Sequence, residues 1–280
     1  MSEEKEMSFL GHIGELRGHL VRAAIAIFVG SLVIGFNINF IMDHIFFGPT
    51  RQDFITFRTI NFFSRELTGE NSINLPGTFA VQQKKLLEQF NVMMSVSIFG
   101  GMVLAFPYLI WELWRFIRPA LHPRERKNSV FVINFVWILF MMGVMCGYFL
   151  ILPLAINFGL VFNISSSITQ LFDLTDYSAL FLQVVLGMGL IFLFPIIVYF
   201  LTGIGIITPM FLKTYRKHAT IVILVVAALI TPADVFSMFA AAIPLLLLYE
   251  FSLFMSGRVY KRLLKEEALL NASLQKSANQ

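Results

Sequence analysis

The stretch that most constrains the fold is Phe106–Lys127, FPYLIWELWRFIRPALHPRERK, in which an apolar run ends in aromatic residues and then becomes strongly basic. Trp111 and Trp114 stand where tryptophan rings settle, at the depth of the lipid headgroups. The basic residues that follow are Arg115, Arg118, Arg124, Arg126 and Lys127. Because loops on the cytoplasmic side carry an excess of Lys and Arg, this pattern predicts a transmembrane helix that leaves the bilayer on that side.

The loop after this helix is stiffened by two prolines, Pro119 and Pro123, which forbid a continuous helix and predict a short connection of defined shape. One acid, Glu125, stands among the bases. A lone carboxylate on a proline-stiffened cytoplasmic loop is a candidate receptor for a cationic ligand.

Composition places the whole chain in a membrane. Hydrophobic residues make up 57% of the 280 residues and charged residues 14%, and the mean hydropathy is +0.76, so there is too little polar surface to cover a soluble globule. The single cysteine, Cys146, lies in an apolar run, which excludes a disulfide framework and a cysteine metal site. We expect no cofactor, no bound metal and no nucleic-acid partner.

The N-terminal part predicts an amphipathic helix over residues 8–20 that lies along the cytoplasmic membrane surface and leads into a first span over 21–47. Phe9, Ile13, Leu16 and Leu20 recur at helical spacing on one face. Residues 48–90 turn polar and predict a long external loop, and a second span covers 91–116. Glu112 is the only acid of that span, and we expect it near the interface in a local pair with Arg115 or in contact with headgroups.

Four further spans follow. The third covers 130–158, and the fourth, 179–201, contains Gln183 and Pro195. The external loop between them, 163–177, has no Lys or Arg. The fifth, over 218–232, is too short for an unperturbed bilayer, and we expect the sixth, over 235–255, to be shortened by a break at Pro244.

The prediction is therefore an all-α, polytopic membrane protein with six transmembrane helices, both termini in the cytoplasm and short helices five and six in a concave, cup-like bundle. Residues 1–258 form one membrane domain, and 259–280 form a basic and polar cytoplasmic tail. The Arg and Lys residues of the long first loop disagree with a simple charge count.

The motifs of common enzyme classes are missing from the sequence. It has no GxxxxGK[ST] phosphate loop, no HExxH metal motif and no GxSxG elbow, so we expect no enzyme activity. A small-solute or ion secondary transporter stays open as an alternative, although such carriers bury ionisable groups near the midplane and here the acids collect at the span ends. An intramembrane structural scaffold is a third alternative.

Three motifs give the chain a family resemblance. HIGELRGHL resembles the HLxELRxRL signature of the TatC family, the polytopic core of the twin-arginine protein translocase. WRFIRPALHPRERK resembles that family's first cytoplasmic loop, and TPADVFS resembles its turn between spans five and six. The resemblance implies a receptor in the bacterial inner membrane for signal peptides with paired arginines. It implies TatA-type and TatB-type single-span partners, self-association and export of folded proteins driven by the proton gradient.

The resemblance also implies the binding residues. The signal-peptide site comprises Glu15 and Arg17 in the N-terminal helix with Phe116, Pro119 and Glu125 around the first cytoplasmic loop. Two guanidiniums are bound best by separated carboxylates that offer charge-assisted hydrogen bonds, and Glu15 and Glu125 supply such a pair.

The chain departs from the family pattern in the fourth span and the fifth turn. Leu193 stands where many relatives carry an acid before the proline, and Met238 stands where a Gln is often found. This leaves Gln183, Thr231 and Asp234 as the candidate polar contacts for a partner helix, with Asp234 also placed to cap the sixth helix.

Overall fold

The computed structural model describes residues 9–68, 81–117, 129–163, 165, 171–231 and 234–278, and these are almost entirely helical. The helices are α1 (Phe9–Phe36), α2 (Ile38–Phe40), α3 (Ile55–Thr68), α4 (Glu88–Ile117), α5 (Ser129–Cys146), α6 (Leu152–Val161), α7 (Leu174–Ile191), α8 (Phe194–Gly203), α9 (Pro209–Thr214), α10 (Arg216–Ile230) and α11 (Val235–Ala278). π-Helical segments cover Ile41–Phe46 and Gly147–Ile151, and a 3-10 turn covers Gly48–Thr50. Two short parallel strands, β1 (Val81–Gln82) and β2 (Phe172–Asp173), pair with each other.

Five helical stretches in the described part of the chain are long and apolar enough to cross a membrane. They are Leu16–Phe36, Glu88–Phe116, Ile133–Val161, Leu174–Gly203 and Val235–Lys265. The remaining predicted span corresponds to α10, which has only 15 residues. At 1.5 Å per residue it reaches about 22 Å, against a hydrocarbon core of about 30 Å. The predicted short fifth helix is confirmed, whereas the count of six spans stays a prediction.

The prolines of the spans have three different effects on their helices. The π-helical segment Gly147–Ile151 directly precedes α6, whose second residue is Pro153 and lacks the backbone N–H that a regular helix would use. The fourth predicted span divides before Pro195, where α7 ends and α8 begins. Pro244, by contrast, lies inside α11, which is a continuous helix of 44 residues.

The prediction of a short sixth helix broken at Pro244 is therefore wrong. A proline removes one hydrogen bond and crowds the carbonyl of the preceding turn, which neighbouring helices can compensate within a membrane. Here Ala241, Ala242 and Leu245, which flank Pro244, are all buried. The same helix also continues through most of the tail predicted from residue 259.

Contacts divide the chain into two compact units, and one membrane domain over 1–258 stays a prediction. The first unit comprises Met1–Met141 and Ile164–Leu182, and the second comprises Met142–Asn163 and Gln183–Gln280.

The centre of the first unit is a close antiparallel pair of α1 and α4. Helix α1 runs from Phe9 to Phe36 without interruption, so the predicted amphipathic segment and the first predicted span form one helix. Gly30 of α1 faces Gly101 of α4, and a Cβ at Gly30 would lie 2.7 Å from the Gly101 carbonyl oxygen. Glycine is needed on both sides because the two backbones touch, as small residues permit in membrane helices.

The end of the first unit near the start of α4 is fixed by a buried carboxylate. Glu88 is 2% exposed and accepts hydrogen bonds from the Thr175 backbone N–H (2.9 Å) and hydroxyl (2.6 Å). It also accepts from the backbone N–H groups of Lys84 (2.6 Å) and Lys85 (3.0 Å). This network ties the polar segment predicted as an external loop to the start of α7, beside the β1–β2 pair.

The second unit is held by polar contacts between tightly packed helices. Thr202 of α8 and Ser256 of α11 share a buried hydrogen bond of 2.9 Å between their hydroxyl oxygens. Tyr249 of α11 donates a hydrogen bond to the Leu212 carbonyl of α9 at 2.6 Å. Tyr249 and Leu212 also form a buried apolar cluster with Val198. The long α11 is thereby anchored to both α8 and α9.

Candidate functional site on helices α1 and α4

The structure describes three of the five residues predicted for the signal-peptide site. Glu15 and Arg17 lie on α1, where Arg17 is exposed, and Phe116 lies at the end of α4, where it is half-buried. Pro119 and Glu125 lie outside the described residues.

Helices α1 and α4 pack antiparallel, and this places the described site residues at the same height, or level, along the axis of the helix pair. His19 of α1 meets Glu112 of α4, and the same register continues to the contact between Gly30 and Gly101. Glu15 lies one turn before His19, and Phe116 lies one turn after Glu112, so the two positions face the same end of the pair. The ring of His19 packs edge-on against Phe116, with centroids 5.9 Å apart.

Next to this level lies a buried carboxylate that the sequence analysis did not assign to the site. Glu112 is 4% exposed. Its Oε1 accepts hydrogen bonds from Arg22 Nε at 3.1 Å and from the Tyr108 hydroxyl at 2.9 Å. Its Oε2 is hydrogen-bonded to His19 Nδ1, which also lies 3.0 Å from Arg22 Nη2.

The expected local pair of Glu112 with Arg115 is therefore wrong, because the carboxylate pairs across to α1. A buried carboxylate needs a cation and hydrogen-bond donors, and α1 supplies Arg22 and His19. The signal available in the sequence was the matching of two helix faces. On α1, the polar residues Glu15, His19 and Arg22 share one face at helical spacing. On α4, the acid Glu112 stands one turn before Phe116.

Glu112 already pairs with a guanidinium, because its Oε1 accepts one hydrogen bond from Arg22 Nε. Such a charge-assisted hydrogen bond is one that a carboxylate can form with any arginine side chain that reaches it. Among the described residues, no group of three or more His, Cys, Asp or Glu side chains could hold a metal ion.

The residues predicted to contact a partner helix belong to the second unit. Thr231 and Asp234 are both buried. The Thr231 hydroxyl donates to the Ala227 carbonyl at 2.9 Å, and Asp234 Oδ2 accepts from the Ser237 backbone N–H at 2.6 Å. The predicted capping of the last helix by Asp234 is confirmed. Gln183 is exposed on α7, and its amide donates to the Leu229 carbonyl of α10.

Comparison with known proteins identifies the family. The TatC family model, described as Sec-independent protein translocase protein, matches residues 11–244. The TatC protein of Blattabacterium sp. subsp. Periplaneta americana is 41% identical over 263 residues, covering 93% of this chain and 99% of the relative. That of Halalkalibacterium halodurans is 34% identical, covering 95% of each chain.

The fold agrees with a solved member of the same family. A crystal structure described as the twin arginine translocase receptor TatC in DDM has a TM-score of 0.68 and 29% sequence identity, and the match covers 88% of this chain and 99% of that one. A second TatC crystal structure matches with a TM-score of 0.63 and 28% identity, covering 89% of this chain and 99% of that one. With the family match, the relatives and the solved structures in agreement, this chain belongs to the TatC family of Sec-independent protein translocase proteins.

Proposed function

We propose that this protein is the signal-peptide receptor and core subunit of a twin-arginine translocase. It receives folded precursors through a leader with paired arginines, and export draws on the proton gradient. The observation that carries the proposal is the α1–α4 pair, which holds the positions of Glu15 and Phe116 at one level. A relative of similar fold is described as a twin arginine translocase receptor, which supports the same role here.

The proposed topology is six spans in the bacterial inner membrane with both termini in the cytoplasm. The basic loop after α4 and the basic residues after Met255 favour that orientation, because Lys and Arg are retained on the cytoplasmic side. Helix α10 serves as the fifth span, and local thinning of the bilayer accommodates its shortness. The tail over 259–280 extends into the cytoplasm.

The peptide is held by two carboxylates, Glu15 on α1 and Glu125 on the proline-stiffened loop. Each binds one guanidinium of the arginine pair through charge-assisted hydrogen bonds. Arg17 places a positive charge beside the acids and repels cations that are not paired with them. Phe116 and Pro119 provide the apolar wall beside the peptide backbone.

The proposed protein partners are TatA-type and TatB-type single-span subunits and further copies of the chain. Of the three polar residues considered for a partner helix, Gln183 is exposed, whereas Thr231 and Asp234 are buried. We therefore assign the direct contact to Gln183. Thr231 binds a carbonyl in the last turn of α10, and Asp234 caps the start of α11.

Peptide binding tests the receptor role directly. The purified protein in lipid nanodiscs is titrated with a fluorescent peptide that carries paired arginines and with its paired-lysine twin. We expect the arginine peptide to bind more tightly, because guanidinium donors match carboxylates bidentately and an ammonium does not. Equal and weak binding of both peptides would reject the receptor role and favour the solute-transporter alternative.

Glu125→Gln tests the site itself. We expect it to weaken arginine-peptide binding by about 2–5 kcal/mol, the cost of removing one partner of a desolvated charge pair. Glu66→Gln is the matched control, because Glu66 is an exposed acid of α3 and lies outside the site. Unchanged affinity of Glu125→Gln at physiological salt would remove Glu125 from this role.

A further inference from the structure

We propose that Glu112 is a further arginine-binding carboxylate of the peptide site, and that Arg22 occupies it until a signal peptide arrives. Binding then exchanges one guanidinium for another: an arginine of the leader takes the place of Arg22 on Glu112. This inference rests on the receptor function proposed above, and it assigns a specificity role to two residues that the family motifs did not supply.

The first observation is the unequal burial of the two partners. The Glu112 side chain is 5% exposed, whereas the Arg22 side chain that pairs with it is 45% exposed. Arg22 is therefore the outer member of the pair, and its departure opens the carboxylate to a ligand. The inner contacts to Tyr108 and His19 stay in place and keep Glu112 oriented.

The second observation is the position of the pair relative to the predicted peptide site. Glu112 lies four residues before Phe116 on α4, a rise of about 6 Å. Phe116 is already linked to the pair through its ring contact with His19. An arginine side chain is long enough to cross one turn, so a peptide held beside Phe116 can place one guanidinium on Glu112.

The exchange of guanidiniums is favoured because the alternative, a buried Glu112 carboxylate without a cation, is costly in free energy. A buried carboxylate that loses its cation without replacement is strongly destabilised, so Arg22 does not leave unless another cation enters. Replacing one guanidinium with another keeps the same charge-assisted hydrogen bonds. A lysine ammonium lacks the planar donor fork of Arg22 and competes less well. Glu112 would thus contribute to the preference for arginine over lysine.

The test is a cycle of three variants, Arg22→Gln, Glu112→Gln and the double variant, each titrated with the paired-arginine and paired-lysine peptides. We expect Arg22→Gln to bind the arginine peptide about tenfold more tightly, equivalent to about 1.4 kcal/mol, because the internal competitor is gone. The lysine peptide should gain less. In the double variant the gain should disappear, because the carboxylate that both guanidiniums seek is absent.

Arg58→Gln is the matched control, because it removes an exposed arginine of α3 and should leave both affinities unchanged. Unchanged or weaker binding of the arginine peptide to folded Arg22→Gln would overturn the proposal and reduce the pair to a link between helices. So would a gain that persists in the double variant.

If Arg22→Gln does not fold, Glu112→Gln decides the question. A larger loss for the arginine peptide than for the lysine peptide supports the exchange, and equal losses overturn it. Failure of the unmodified protein to bind the arginine peptide would instead reject the receptor function.

Discussion

Gly101→Ala is the substitution that tests the α1–α4 contact most directly. The Cβ that it adds would lie 2.4 Å from the Ser31 backbone nitrogen and 2.7 Å from the Ser31 Cα. Real Cβ contacts rarely fall below 3.4 Å, so the two helices must separate by about 1 Å at this level. The obstacle is backbone, which cannot rotate out of the way as a side chain could.

The expected cost follows from two opposing effects. Forcing extra atoms into a packed interface costs about 1–3 kcal/mol, and the upper part of that range applies where backbone must move. Replacing a helical glycine with alanine returns roughly 1 kcal/mol through better helix propensity. We therefore expect Gly101→Ala to lower the free energy of unfolding by about 2 kcal/mol.

Gly257→Ala in α11 is the matched control, because its added Cβ would meet no atom within 4 Å. With no clash to oppose the gain in propensity, this variant should be stabilised by up to about 1 kcal/mol. Both changes are measured by SDS titration in mixed micelles and by thermal unfolding in detergent. Opposite signs are expected for the two variants. A Gly101→Ala protein as stable as the control would refute the close approach of α1 to α4.

Three further predictions concern other parts of the molecule. Glu88→Gln should lower the free energy of unfolding by about 1.5–3 kcal/mol, because an amide cannot accept all the hydrogen bonds of the carboxylate. The control Glu66→Gln, at an exposed position, should change the free energy of unfolding little. Equal effects of the two substitutions would contradict the hydrogen-bond network around Glu88. Tyr249→Phe should lower the free energy of unfolding by about 1 kcal/mol, because it loses the hydrogen bond to the Leu212 carbonyl of α9. The same SDS titration compares it with Tyr260→Phe, a control at an exposed position. A loss of stability no larger than that of the control would contradict this hydrogen bond. Nanodiscs with longer lipid chains should lower the thermal stability, because α10 is short, and indifference to chain length would argue against bilayer thinning.

The sequence by itself determined the membrane class, the approximate positions of five apolar spans and the shortness of α10. Hydropathy and length are local properties, and the 15 residues of α10 are too few to cross an unperturbed bilayer. The motifs around Glu15 and Phe116 determined the family resemblance for the same reason, since each is contiguous in the chain. The capping by Asp234 was predictable as well, because a cap depends only on the first turn of its own helix.

Only the tertiary structure decided which distant residues meet. Glu112 pairs with Arg22 and His19, about ninety positions earlier in the chain, because the contact depends on the register at which α1 packs on α4. Pro244 remains inside a continuous helix packed among buried neighbours, which a local proline rule does not anticipate. Whether a segment can span a membrane depends on its own residues. A buried charge pair such as Glu112 with Arg22 depends on two helix surfaces, and only their packing selects the partner.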